Sequence, residues 1–196
     1  MKILQYSFYF AAATLLMASD CSNKDSEFYN DVFVTAPNVV NITSFDAAGG
    51  GTTVNVNTNN FSKDVEETGQ THTLDVYRTS GGAPSFSFSY LIEKQNANSE
   101  WELFPVMDAY AASGSIEAGD FVVGHAHYNN AGGSYDFNTD NTFSEPGNYR
   151  LSFGYNSLPS KTVLLRSDSI NNNLFVNLYS PCDDLDANGF FYFTVE

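Results

Sequence analysis

Residues 144–155 read SEPGNYRLSFGY, a Pro-Gly turn followed by large apolar side chains at every second position: Tyr149, Leu151, Phe153 and Tyr155. Side chains two apart on an extended chain share a face, so this spacing predicts a strand with one buried side and one wetter side. Phe86, Phe88, Tyr90 and Ile92 repeat the pattern. Elsewhere helical periodicity is nearly absent. Short runs of Val, Phe, Tyr and Thr alternate with clusters of Gly, Asn, Ser and Pro, which places strands near 31–35, 38–44, 51–58, 71–78, 85–94, 100–106, 119–128, 148–155, 161–166, 172–180 and 189–195. The chain is expected to be all-β. Strands that each bury one face are best satisfied by two sheets packed against each other, a β-sandwich.

In the opening stretch, Glu145, Gly147 and Tyr149 resemble the acidic-x-Gly-x-Tyr signature that begins strand F of immunoglobulin-like domains. There the tyrosine hydroxyl bonds back to nearby backbone as a tyrosine corner. The resemblance implies an immunoglobulin-like sandwich, with Tyr149 and Gly147 in structural roles and Trp101 similar to the buried tryptophan of such domains. Leu151 stands where an antibody domain carries cysteine, so the antibody-type disulfide is ruled out. These eleven candidate strands exceed the seven to nine of one such domain, which implies an elaborated sandwich of about 9–11 strands. A jelly roll is the alternative. No internal repeat is visible, so one domain over 31–196 is expected rather than two modules meeting near 108–118. Polar Asn96–Ser99 and the dipeptide Asn188-Gly189 supply hairpin turns.

The leader has a different character. Lys2 precedes an apolar stretch from Ile3 to Ala18, broken by Gln5, Ser7 and Thr14 and ending in LLMASDCSNKDSE at residues 15–27. A confident spanning helix needs about 20 apolar residues, so residues 1–20 read as a targeting segment. Ala18 and Ser19 before Cys21 resemble the lipobox of bacterial lipoproteins, although Asp20 departs from its usual Gly, Ala or Ser. The following SNKDSE resembles the acidic export signals of Bacteroidota surface lipoproteins. The closing Phe-Thr-Val, residues 193–195, is similar to the end of lipoprotein modules of unknown function from the same group. This resemblance implies acylation at Cys21, a flexible tether over 21–30, and attachment to the outer membrane facing the exterior. Asp168-Ser169-Ile170 is similar to the O-glycosylation sequon of that group, with Ser169 as acceptor.

Charge narrows the partners. The chain carries 8 basic and 23 acidic side chains, a net of −15. Loss of residues 1–20 removes Lys2 and Asp20 together and leaves that balance unchanged. Nucleic acid and anionic lipid bind through Lys and Arg on phosphates, so neither is an expected partner. With Cys21 acylated, Cys182 has no cysteine left to pair with and is expected as a small buried residue.

Candidate chemistry is sparse. His125 and His127 are two apart on an expected strand, so both imidazoles could reach one Zn²⁺, with His72 the only other histidine. DDLDANG places Asp184, Asp186 and Asn188 at alternate positions before Gly189, like the opening of a calcium loop. Val195 then occupies the position of the bidentate Glu, so this is not an EF-hand. DFNTDN, with Asp136, Asn138 and Asp140, is a second oxygen-rich loop that would hold Ca²⁺ weakly. There is no Gly-x-Ser-x-Gly elbow, and Cys182 lies among acids. No catalytic residue is assigned, and no cofactor is expected beyond Ca²⁺. Tyr110, Tyr128, Tyr135 and Tyr179 lie at strand ends or out of phase, as ligand-stacking tyrosines would. The expected function is a non-catalytic cell-surface binding or adhesion module for an extracellular protein or glycan. The alternative is a carbohydrate-binding accessory lipoprotein of a polysaccharide-uptake system, with Ca²⁺ in its Asp-rich loops.

Overall fold

The structure, a computed structural model, describes residues 30–107, 109–154, 159–168 and 174–196. The leader, Cys21, Tyr155 and Ser169 lie outside the described residues. Among the described residues the strands are β1 (Asn30–Thr35), β2 (Asn41–Asp46), β3 (Thr52–Asn57), β4 (Asp64–Glu66), β5 (Thr73–Asp75), β6 (Ser85–Gln95), β7 (Trp101–Leu103), β8 (Ala111–Ser113), β9 (Ser115–Glu117), β10 (Val122–Asn129), β11 (Ser134–Asp136), β12 (Asn138–Phe143), β13 (Gly147–Phe153), β14 (Thr162–Ser167), β15 (Leu174–Pro181) and β16 (Phe191–Val195). A single helical turn, α1 (Val76–Thr79), follows β5 because the Asp75 carboxylate accepts from the Arg78 N–H and caps it.

Each expected range holds a strand, although 71–78 keeps only Thr73–Asp75 and turns helical at Val76, where Asp75 caps the turn; β4, β8, β9, β11 and β12 are additional, so the count exceeds the expected 9–11. The main correction is at β11 and β12. Asp136, Asn138 and Asp140 lie on these strands, not in a loop. Their alternation is concealed because the inward positions include Thr139 and Asn141 beside Tyr135, Phe137 and Phe143. β1 also begins at Asn30, one residue inside the expected tether.

Ten strands form one sheet along the path β1-β15-β14-β6-β10-β11, with β13 and β16, β7, and β9 attached beside it. The sheet β2-β3-β12-β8 packs on its inner face. Phe143 meets Tyr149 and Phe193, Phe137 meets Phe88, and Asn141 Nδ2 donates to the Tyr90 hydroxyl at 3.1 Å. This is an all-β, immunoglobulin-like sandwich. Its core draws Ile42, Val54 and Val56 from the smaller sheet and Phe86, Phe88, Tyr90, Ile92, Leu151 and Leu178 from the larger. Burying each of these stabilises the fold by about 1.5–3 kcal/mol.

The opening stretch forms the tyrosine corner. Tyr149, fully buried, donates its hydroxyl to the Glu145 carbonyl at 2.7 Å, and Leu151 and Phe153 follow it into the core. Gly147 has φ 151°, a backbone conformation that residues with a Cβ rarely adopt, so glycine is favoured there. Trp101 departs from expectation. It is half-buried on the outer face of the ten-stranded sheet, because β7 is a three-residue strand at the sheet's edge and does not face the second sheet.

Candidate functional site

Strand β6 organises the outer face of the large sheet. Its first half pairs with β10 along one edge, from Ser85↔His127 to Tyr90↔Val122. The opposite edge is shared by two strands: β14 meets Phe86 and Ser87, whereas β13 meets Tyr90 to Lys94. Between Ser87 and Tyr90 the two neighbours diverge, with only Gly154 N–H bonding Ser89 O there, at 2.9 Å. The divergence opens a cleft of about 570 Å³. Phe121, Val123, Phe153, Leu164 and Tyr179 give it apolar walls, and Ser87, Ser89 and Thr162 add hydroxyls. Arg166 is the one charged side chain among the described lining residues. The described lining therefore carries no carboxylate, although acids outnumber bases in the chain by 23 to 8.

Register lays a polar row across the sheet beside this cleft. Asn177 on β15 pairs with Arg166 on β14, Arg166 with Ser87 on β6, and Ser87 with His125 on β10. Ser87 Oγ lies 2.8 Å from His125 Nδ1, and His125 Nε2 lies 3.3 Å from Glu117 Oε1. Sequence reading missed this chain, since the three residues share no local motif and only strand pairing brings them together. Its order is that of a serine, imidazole and carboxylate relay. Ser87 nevertheless sits mid-strand with both edges of β6 paired, whereas oxyanion stabilisation needs N–H groups aimed at the reacting oxygen. The next row carries Ser85 and Asp168, which are hydrogen-bonded to each other, with Asp168 Oδ1 3.5 Å from Ser87 Oγ.

A second region lies on the same outer face, where β7, β6, β13 and β16 run side by side. The Arg150 guanidinium sits 4.5 Å from the Trp101 ring centre and 4.0 Å from that of Phe190. Its Nε donates to Glu93 Oε2 at 2.6 Å, so its charge is neutralised in place. Tyr192 packs on Trp101 and Phe190 with half its surface exposed, and Leu103 is equally open. Tyr192 escaped sequence reading because Phe190, Phe191, Tyr192 and Phe193 are all aromatic, and an unbroken run does not tell one face from the other.

The other expected site residues are distributed as follows. Tyr179 lines the cleft and stacks on exposed Phe33 at 6.3 Å. Tyr110 stands exposed in the loop before β8. Tyr135 is fully buried, with its hydroxyl donating to Ala83 O at 3.0 Å, so it is a core residue and not a stacking surface. Burial also pushes its hydroxyl pKa far up. Tyr128 is half-buried, with Tyr77 stacked on it at 4.0 Å and Tyr135 tilted against it at 5.2 Å, so its ring packs within the protein.

His125 and His127 do share a face of β10, but they bond to different neighbours, His127 Nε2 lying 3.0 Å from Ser115 Oγ. Exposed His72 lies in the turn before β5. The Asp-rich turn uses its carboxylates on backbone. Asp184 Oδ2 accepts from Ile42 N–H at 2.8 Å, and Asp186 Oδ1 accepts from Asn188 and Phe190 N–H at 2.9 Å each. The Phe190 bond foremost holds the Asp186 carboxyl below the usual carboxylate range. Gly189, with φ 84°, completes the turn, as Asn-Gly predicts. Asp136 accepts from Asn129 and Ser134, and Asp140 from Asn55. Among the described residues no group of three or more His, Cys, Asp and Glu side chains converges as a metal site. Cys182 is buried, and desolvation raises its thiol pKa.

Comparison with known protein families, curated proteins and solved structures finds no match. Among the described residues no helix is long and apolar enough to cross a membrane.

Proposed function

We propose that this chain is a cell-surface lipoprotein of Bacteroidota type, held at the outer membrane through acylated Cys21, and that its sandwich binds an extracellular protein or glycan without transforming it. The observation that carries the reading is the neutral aromatic platform of Trp101, Phe190 and Tyr192 around Arg150. Trp, Tyr and Arg are the residues that most often dominate binding interfaces, and aromatic faces also stack on sugar rings. Arg150 and Glu93 cancel each other, so the platform presents flat apolar surface with polar edges instead of a net charge. Two or more acyl chains on Cys21 would anchor the protein without any further membrane-binding surface.

A carbohydrate-binding accessory role is the second reading, favoured by the stacking geometry of the same aromatics, with one carboxylate oxygen each of Asp184 and Asp186 already bonded to backbone N–H groups. The test is a glycan array, paired with a screen of purified extracellular proteins, using wild type and Tyr192→Ser. Loss of a wild-type partner by at least about tenfold in Tyr192→Ser supports the platform. Equal binding by both proteins contradicts it. Metabolic labelling with a palmitate analogue, lost in Cys21→Ser, tests the anchor.

A further inference from the structure

The cleft at the β13/β14 fork is a second site, separate from the aromatic platform and different in chemistry. We propose that it binds an amphiphile with a carboxylate head, an acyl or aryl monocarboxylate, with the apolar body between Val123, Phe153 and Leu164 and the head on Arg166. Three observations point there.

The first is shape and lining. A cleft of about 570 Å³ with mainly apolar walls and a few polar groups has the dimensions and composition of small-ligand pockets. The second is charge. Arg166 is the sole charged side chain of the described lining, about half exposed, and among the described residues its carboxylate contact is a single 3.5 Å approach to Asp31. A guanidinium with donors to spare matches a carboxylate in two-pronged geometry. Glu117 stands beyond His125 at the far end of the polar row, whereas Asp168 follows two residues after Arg166 and is held by Ser85, so Arg166 is the one cation of the described lining that an anionic head could meet.

The third is an unspent donor. Asn177, beside Arg166 in the ladder, is only 4% exposed, yet its Nδ2 has no hydrogen-bond partner. A buried amide without a partner is costly, and native structures rarely retain one without reason. Asn177 lies on the outer face, since its neighbours Val176 and Leu178 belong to the core. Asn177 is not itself part of the described cleft lining, so a carboxylate on Arg166 would satisfy this amide once the Asn177 side chain turns toward it.

The test is calorimetric titration of the folded, purified protein with dodecanoate below its micelle concentration, with dodecanol and dodecyl maltoside as uncharged and sugar-headed controls. Dodecanoate should bind one per chain and more tightly than either control. Decanoate should bind roughly tenfold more weakly than dodecanoate, as two fewer buried methylenes require. Arg166→Gln should weaken dodecanoate at least about tenfold and leave dodecanol unchanged. Asp31→Asn, which removes the competing carboxylate, should tighten dodecanoate. Leu164→Asp should abolish binding of every dodecyl compound. Circular dichroism and a thermal melt establish that each variant is folded. Equal affinity for dodecanoate and dodecanol, or indifference to Arg166→Gln, overturns the head-group assignment and with it the proposal, as does failure of dodecanoate to bind. These results leave the platform untouched, because its partner is scored by Tyr192→Ser. A platform partner that ignores Tyr192→Ser while dodecanoate obeys Leu164→Asp sinks the platform reading and spares the cleft.

Discussion

Two arginines on one sheet face mark the difference between the platform and the cleft. Arg150 lies between two aromatic rings and is closed by a 2.6 Å bond to Glu93, both side chains being less than one-fifth exposed. Arg166 rests on the Phe175 ring at 4.1 Å and reaches Asp31 at 3.5 Å from a half-exposed position. The first arginine is committed to holding its neighbours in place, and the second retains capacity for a ligand. Strand β6 runs beneath both regions, so the contrast arises from its neighbours. Where β13 stays paired the face is closed, and where β13 and β14 part it opens.

Phe153 sits where the two regions meet, bordering the cleft while its ring packs inward on Phe88 and Tyr90. Phe153→Ala should cost about 3–5 kcal/mol in urea unfolding, the largest effect expected, because it opens a cavity between β6 and β13. A cost under about 1 kcal/mol would mean that the cleft floor is not part of the core. The two arginines should separate next. Arg150→Ala should destabilise by about 2 kcal/mol, losing two ring contacts and leaving Glu93 half-buried and unpaired. Arg166→Ala should change stability by less than about 0.5 kcal/mol, as exposed ion pairs usually do. Equal costs for the two would erase the contrast. At the tyrosine corner, Tyr149→Phe should cost about 1 kcal/mol, the net worth of one hydrogen bond.

The inner face also has a pH signature. Burial raises the hydroxyl pKa of Tyr90 and Tyr135 well above the ordinary tyrosine value, so the unfolded chain gives up these protons first as pH rises. The stability tied to keeping both protonated is complete below about pH 10 and declines above it, toward the raised folded values. Ultraviolet titration should show the two rings ionising together with loss of the fold. Smooth ionisation near pH 10 in a protein that stays folded would contradict their burial.

Most of the inner face was legible in the sequence. Tyr149, Leu151 and Phe153, like Phe86, Phe88, Tyr90 and Ile92, point inward as their period-two spacing predicts, because one-sided burial writes itself into alternation. β12 was not legible, since Thr139 and Asn141 take inward positions that the pattern reserves for apolar residues. The outer face was legible only in part. Tyr179 stood out of phase and does line the cleft, but Trp101 and Tyr135 exchanged their expected places. A single strand tells which residues share a side, whereas which strands flank β6 is a long-range fact. Ser87, His125 and Arg166 lie up to 79 positions apart in sequence, and their row exists only through pairing across three strands.

The central claim, that the outer face holds a ligand cleft distinct from the core beneath it, is tested most directly by methyl NMR during titration with dodecanoate. Saturable shifts should be confined to the Val123 and Leu164 methyls at the fork, with those of Val56 and Leu151 in the core unmoved. Shifts spread evenly over core and surface methyls, or none at Leu164 at saturating ligand, would contradict it.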